Sequence, residues 1–321
     1  MTARQNLSAE RNRPTAKETW SCLIALVVWL LVTSLFIGLR PEHVVMGVLI
    51  TGLFFASRST RRLTVALLPF IVFAVSYDWM NLLPNYEVNP VDTSGLYNTE
   101  KTLFGIETTA GVLTPNEFFA IHNCKVMDFL AGLFYLCWVP LPVFFGLWLY
   151  FTGKRGPYLH FALVFLFVNL IGFAGYYIHP AAPPWYVAMH GFEAVPGTPG
   201  SVAGLGRFDE MTGLSVFHGL YERNANVFAA VPSLHSAYTL VAFIYSIRAR
   251  SSWTWRIVLG TVTLGIWFTA VYTSHHYIID VLCGIGCALL GFVIFEYGLM
   301  RIPGFARWIS KYTAYISPSK N

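Results

Sequence analysis

Two short stretches hold the residue types that phosphoryl transfer uses. Ala230-Val-Pro-Ser-Leu-His-Ser236 sets Ser233 two residues before His235, and Thr273-Ser-His-His-Tyr-Ile-Ile-Asp280 sets His276 four residues before Asp280. In the first, Pro232 suits the opening turn of a helix, where its missing N–H costs nothing. The free N–H groups of such a turn, with the helix dipole, favour an anion. Ser233 is then a candidate hydrogen-bond donor to a phosphate, and His235 a candidate proton donor beside it. In the second, a four-residue spacing puts His276 and Asp280 on one face if the stretch is helical. A carboxylate there can hold one imidazole nitrogen and fix the tautomer, leaving the other nitrogen free to attack. On the same geometry His275 points about 100° away.

Each stretch also has a plainer reading. Ser233 could be a helix cap with an interfacial His235, and His276 with Asp280 a buried structural pair. His and Asp are metal ligands too, but His-Glu-x-x-His and Cys-x-x-Cys spacings are absent, and these residues alone are too few for a metal site. No metal or other cofactor is therefore expected. Phosphate needs fixed positive charge. Arg207, in Gly204-Leu-Gly-Arg-Phe-Asp209, follows two glycines that allow close backbone approach. It is the best candidate for a bidentate phosphate clamp, with Lys101, Lys125 and Arg223 as weaker ones. The plainer reading of Arg207 is a surface ion pair with Asp209 or Glu210.

The elements that position these residues are membrane helices. Of 321 residues, 55% are hydrophobic and 12% charged, against about 25% charged in soluble domains. The apolar residues lie in blocks. A spanning helix needs about 20 of them, and eight blocks are candidates: 20–38, 43–56 (a short one), 63–80, 127–151, 157–178, 231–247, 255–272 and 278–299. The predicted fold is an all-α polytopic bundle: a cytoplasmic tail (1–19), one membrane domain (20–299) and a second tail (300–321). With the N-terminus in the cytoplasm, 16 of the 21 Lys and Arg residues fall on the inner side. Only Arg40, Lys101, Lys125, Arg207 and Arg223 lie outside, so the charge bias agrees with eight spans and both termini inside. This distribution, rather than nucleic acid, accounts for the net charge of +5. The first span has no small-residue cleavage pattern after it and reads as an anchor.

All histidines but His160 fall on the outer half, as do Asp78, Asp128 and Asp280. Ionisable groups at membrane depth mark function by default. Two long outer segments, 81–126 and 179–230, are expected to fold over them, and long ordered connections are usually functional. The second is rich in proline, which stops helices. The five cysteines form no disulfide framework, and Cys124 alone lies outside the spans. A transporter would show matched interrupted helices in two repeats and midplane charges; neither is present.

Pro232-Ser-x-His235 followed by His276-x-x-x-Asp280 resembles the second and third signature motifs of the type 2 phosphatidic acid phosphatase superfamily. The stretches 179–185, 204–209, 228–235 and 273–280 are most similar to its inositol phosphorylceramide synthase-like branch, and Leu96–Gly105 less distinctively so. The resemblance implies that His276 is a nucleophile that becomes phosphorylated, that Asp280 orients it, that His235 protonates the leaving group, and that no metal is needed. Two features depart from the phosphatase pattern: Lys-x6-Arg-Pro is absent, and Thr269-Ala270 stands where Ser-Arg is usual. That makes Arg207 more important and favours a synthase. The expected activity is transfer of a phospho-headgroup, phosphoinositol by the resemblance, from a phospholipid donor to a lipid alcohol acceptor such as ceramide, within the bilayer. The alternative is a lipid phosphatase with water as acceptor.

Overall fold

The computed structural model describes residues 13–109, 111–221 and 226–318. Arg4, Arg11 and Lys320 of the inner charge set, and the candidate cation Arg223, lie outside the described residues. The chain groups into two compact units, one of residues up to Leu82 and from Pro303 onward, the other Leu83–Ile302.

The first unit begins with α1 (Ala16–Phe36), α2 (Pro41–Ala56) and α3 (Arg58–Trp79). Thr15 and Glu18 cap α1 reciprocally, and Ser57 caps α3. The apolar surface of α1 is largely uncovered, with Trp20, Ile24, Val27, Leu31 and Leu35 exposed, as suits a helix facing lipid. Asp78 on α3 binds Arg40 and His43.

The second unit holds the rest of the bundle: α4 (Gly95–Phe104), the hairpin β1 (Ile106–Thr108) and β2 (Gly111–Leu113), α5 (Pro115–Ile121), α6 (Lys125–Leu136), α7 (Pro140–Phe151) and α8 (Arg155–Ile178). Three short helices follow, α9 (Pro184–His190), α10 (Gly206–Thr212) and α11 (Val216–Tyr221). Then come α12 (Leu234–Arg248), α13 (Trp253–Tyr272) and α14, which starts at Ile278 and continues through a π turn to Arg301. The last helix, α15 (Pro303–Ile316), returns to the first unit, where Tyr312 donates to the Val65 carbonyl.

Among the described residues five helices are long and apolar enough to cross a membrane, and six if α6 and α7 count as one bent span. This is an integral membrane protein, whose regular elements among the described residues are helices but for one short hairpin. Three details depart from the sequence expectation. The stretch 127–151 is two helices meeting at 44°, because Pro140 and Pro142 withhold N–H groups from the turn before them. Helix α12 begins at Leu234 with Ser233 as its N-cap, so Pro232 stands before the helix rather than in its first turn. The hairpin lies in the first outer segment, where only helix and loop were expected.

Helix α12 is the centre of this unit, packed against α13, α14, α8 and α7. At its C-terminal end the buried Glu296, in the π turn of α14, accepts from Tyr245 at 2.5 Å and Arg248 at 2.7 Å and pairs with His160 at 2.9 Å. A buried carboxylate is tolerated when paired in this way, and the network fixes α8, α12 and α14 to one another. At the opposite end α14 approaches the start of α12 directly. A Cβ on Gly284 would come within 2.1 Å of the Ser233 carbonyl oxygen, so only glycine permits this contact.

Candidate active site

The five residues between α13 and α14, Thr273–Tyr277, carry His276 and are held from every side. Four backbone bonds turn the chain: the N–H of Thr273 to the Thr269 carbonyl, that of Ser274 to Val271, and those of His275 and His276 both to Ala270. Ser274 has a φ of 60°, a left-handed conformation that persists only where surrounding bonds enforce it. The outer segments supply those bonds. Asn116 on α5 donates to the Val271 and His276 carbonyls, each at 2.9 Å. The Trp185 N–H binds the Ser274 carbonyl, and the Gly204 N–H binds that of Thr273, both at 3.0 Å. A Cβ on Gly204 would sit 2.8 Å from Thr273 Cα, so the 204–209 glycine serves to approach this loop. The segments 81–126 and 179–230 are also stitched together, Asp92 to Pro180 and Ala182, and the second is closed on itself by Ala181 to Phe228. They act as a clamp on the loop.

His276 lies two residues ahead of α14, so the shared-helix-face expectation does not describe how it meets Asp280. The contact exists nonetheless: His276 Nδ1 is 3.4 Å from Asp280 Oδ2. The same oxygen accepts the Tyr277 N–H at 2.8 Å, so one buried carboxylate caps the helix and steers the imidazole. A proton on Nδ1, the side of this carboxylate, leaves His276 Nε2 an unprotonated lone pair.

That nitrogen faces His235 Nδ1 at 3.1 Å. A hydrogen bond between two ring nitrogens needs one donor and one acceptor, so His235 Nδ1 carries the proton. His235 is held from its other side by two rings, Tyr135 stacked at 5.0 Å and Trp138 at 4.6 Å between centroids. Trp138 sits in the break between α6 and α7, so the bend that interrupts the span positions this imidazole.

Ser233 is fully buried and does not cap α12 with its side chain; its hydroxyl accepts from Ser236 at 3.1 Å. Arg207 pairs with neither Asp209 nor Glu210. Its Nε donates to Asp128 Oδ1 at 2.7 Å, Tyr272 donates to the same oxygen at 2.8 Å, and the guanidinium lies over the Tyr272 ring. Asp209 is occupied elsewhere, accepting the N–H groups of Phe217 and His218. One guanidinium nitrogen, Nη2, has no hydrogen-bond partner.

Lys101 is not brought to the histidines. Its amine donates to the Tyr97 hydroxyl at 3.1 Å, and Tyr97 in turn donates to Glu117. The neighbour Glu100 is the residue turned inward. It is fully buried and accepts the N–H groups of Ile278 at 2.9 Å and Ile279 at 3.2 Å. Burial raises its pKa, against the lowering effect of those two N–H groups. Glu100 and Asp280 together satisfy three of the orphan donors at the start of α14, which leaves α12 as the helix end facing the pair without a side-chain cap. Sequence reading missed Glu100, Asn116, Tyr135 and Trp138. Its only signal for Glu100 was an acid standing directly beside Lys101 in the stretch Leu96–Gly105. Among the described residues no three His, Cys, Asp or Glu side chains are placed to share a metal ion.

The chain is similar to three curated proteins of related name. It is 58% identical over 303 residues to the phosphoinositol dihydroceramide synthase of Bacteroides thetaiotaomicron, covering 94% of this chain and 99% of that one. It is 30% identical over 206 residues to the inositol phosphorylceramide synthase of Candida albicans, and 25% over 266 residues to the catalytic subunit of the Saccharomyces cerevisiae enzyme. Those matches cover 62% and 77% of this chain, and 42% and 59% of the fungal proteins. No solved structure matches the chain. The family model described as the PAP2 superfamily matches residues 102–294, the stretch that contains both histidines, Asp280 and Arg207. The chain belongs to the PAP2 superfamily.

Proposed function

We propose that this membrane enzyme moves phosphoinositol from phosphatidylinositol to the primary hydroxyl of a ceramide or dihydroceramide through a phospho-histidine intermediate. The observation that carries the reading is the His235–His276 contact of 3.1 Å, with Asp280 behind His276. The names of the relatives, a phosphoinositol dihydroceramide synthase and an inositol phosphorylceramide synthase, favour this transfer over phosphatase action.

His276 Nε2 attacks phosphorus, forming an N–P bond as the P–O bond to diacylglycerol breaks. His235, taken to the imidazolium as the anionic phosphate enters beside it, gives one proton to the departing oxygen and is left neutral. The acceptor hydroxyl then attacks the same phosphorus, the N–P bond breaks, and His235 takes the hydroxyl proton. A reacting phosphorus sits about 3–3.5 Å from its nucleophile. Substrate must therefore part the two rings and replace their direct contact. The uncapped start of α12 at Ser233 and the Arg207 guanidinium, held at one edge by Asp128, supply positive potential to the phosphate oxygens. Lys101 has no part in this arrangement.

The same reading includes eight spans, with α2 and α12 crossing despite their length and α6–α7 crossing as one. Residues 1–19 and 300–321 flank one membrane domain in the cytoplasm, and the site opens on the outer face. The inner excess of Lys and Arg supports this. Cys124 is exposed and free, so a membrane-impermeant maleimide should label it in intact cells; labelling only after lysis would reverse the topology. The activity itself is tested by reconstituting purified protein with headgroup-labelled phosphatidylinositol, with and without ceramide. A labelled sphingolipid formed only with ceramide is expected, and water-soluble inositol phosphate in both arms would make the protein a phosphatase.

A further inference from the structure

His275 is the one imidazole at the site to which the transfer assigns no task. It is buried, at 4% exposure, and its ring lies against Tyr221 at 4.6 Å and Tyr135 at 5.4 Å between centroids. Tyr135 is also the ring stacked on His235, so His275 and His235 share one aromatic wall.

The tautomer of His275 follows from its neighbours. Thr273 Oγ1 lies 2.7 Å from the Thr269 carbonyl oxygen. Two oxygens this close need a proton between them, and only the hydroxyl has one to give. Thr273 Oγ1 also lies 3.0 Å from His275 Nδ1. With its single hydrogen committed to Thr269, the hydroxyl must accept here, so His275 Nδ1 carries the proton. Nε2 is then a bare lone pair, and it is buried with no hydrogen-bond partner among the described residues. Burial, then the neighbouring His276, pushes the pKa of His275 down to about 3, so the lone pair stays available through the neutral range. A buried acceptor left open weakens the fold, and such groups call for an explanation. The transfer reaction brings hydroxyl donors into this region by necessity.

We propose that His275 Nε2 accepts a hydrogen bond from a substrate hydroxyl, and so selects a hydroxyl-bearing lipid at this site. The inference rests on the transfer reading. The hydroxyl belongs either to the polyol headgroup of the donor or to the acceptor alcohol, and the two are separable by kinetics.

The test uses the purified full-length enzyme, with phosphatidylinositol and ceramide as probes, and two variants. His275→Phe keeps a ring between Tyr135 and Tyr221 and removes the lone pair. His275→Gln places an amide oxygen near the position of Nε2 and restores an acceptor. Loss of one such bond should raise one KM about five- to tenfold with kcat much less affected. A rise for phosphatidylinositol in the Phe variant, reversed by Gln, assigns the donor headgroup; a rise for ceramide, reversed by Gln, assigns the acceptor. Either outcome supports the proposal. Unchanged KM values in the Phe variant overturn it, as does an equal fall of kcat and thermal stability in both variants. If wild-type enzyme forms no sphingolipid and instead releases inositol phosphate, the transfer reading fails. The hydroxyl bond is then still read from the KM of phosphatidylinositol in hydrolysis, where an unchanged value in the Phe variant overturns it.

Discussion

Replacing Asp280 by asparagine should slow transfer far less than replacing it by alanine. Asp280 Oδ2 accepts the Tyr277 N–H at 2.8 Å and faces His276 Nδ1 at 3.4 Å, while Oδ1 has no hydrogen-bond partner. In Asp280→Asn, an amide NH2 at the Oδ2 position would meet the Tyr277 N–H, donor against donor. The amide oxygen must therefore take that place. His276 keeps an acceptor opposite Nδ1, and its Nε2 stays unprotonated. What is lost is the negative charge. A hydrogen bond to a charged group contributes about 1.5–3 kcal/mol, and a neutral one about 0.5–1.5. The difference of about 1–1.5 kcal/mol corresponds to a rate loss of about five- to fifteenfold. Asp280→Ala removes the acceptor altogether and frees the tautomer. Its loss should be on the order of 10³ to 10⁴, the scale seen when a catalytic histidine loses its orienting carboxylate. Initial rates of phosphoinositol transfer, on variants that elute like wild type in size-exclusion chromatography, decide the matter. An asparagine variant as slow as alanine would refute the idea that Tyr277 fixes the amide orientation, and with it the shared role of Oδ2.

Gly284→Ala should cost about 100-fold or more in kcat, because its Cβ would press on the Ser233 carbonyl from 2.1 Å and displace one histidine from the other; near-normal turnover would show that the two helices can part without harm. Glu100→Gln should lower both thermal stability and rate, since an amide cannot accept from Ile278 and Ile279 together, whereas Lys101→Ala should leave the rate within about twofold and the phosphatidylinositol KM unchanged. The reverse order of effects would restore Lys101 as a phosphate ligand. Stability should fall with acid as well. His275 titrates near 6.5 when unfolded but at about 3 when folded, so below pH 6.5 the unfolded chain takes up a proton that the fold refuses. The penalty is at most about 1.4 kcal/mol per pH unit down to about pH 3. A melting series from pH 7.5 to 4.5 should therefore be flatter for His275→Gln; parallel slopes would assign the acid sensitivity to other groups. Transfer should survive chelation by EDTA, and activity lost to EDTA and regained with a divalent ion would place a metal in the reaction.

The parts of this site readable from sequence are those whose partners are close along the chain. His276 and Asp280 are four residues apart, Ser233 and His235 two apart, and the chemistry of each residue is visible in its type. Even so, the geometry behind the second motif differs from the one its spacing suggested, because α14 starts only at Ile278. The parts that stayed hidden depend on partners far away in sequence. Glu100 reaches Ile278 across 178 positions and Asn116 reaches His276 across 160. Phosphate chemistry drew attention to the cation at 101, while the adjacent acid was the one turned inward. The bundle was legible from its apolar blocks. The break at Cys137–Val139 was not, since two prolines inside a span are compatible with either a bent helix or two helices. Arg207 could be named from its charge and its glycines, but its counter-ion Asp128 lies 79 positions away.

The central claim is a covalent bond to one imidazole, and trapping tests it most directly. Protein incubated with headgroup-labelled phosphatidylinositol, without acceptor, is quenched in alkali and digested for mass spectrometry. The account predicts an acid-labile, alkali-stable phosphoinositol adduct on His276 that disappears on addition of ceramide and is absent from His276→Ala. An adduct on another residue, or full transfer activity in the His276→Ala protein, would contradict it.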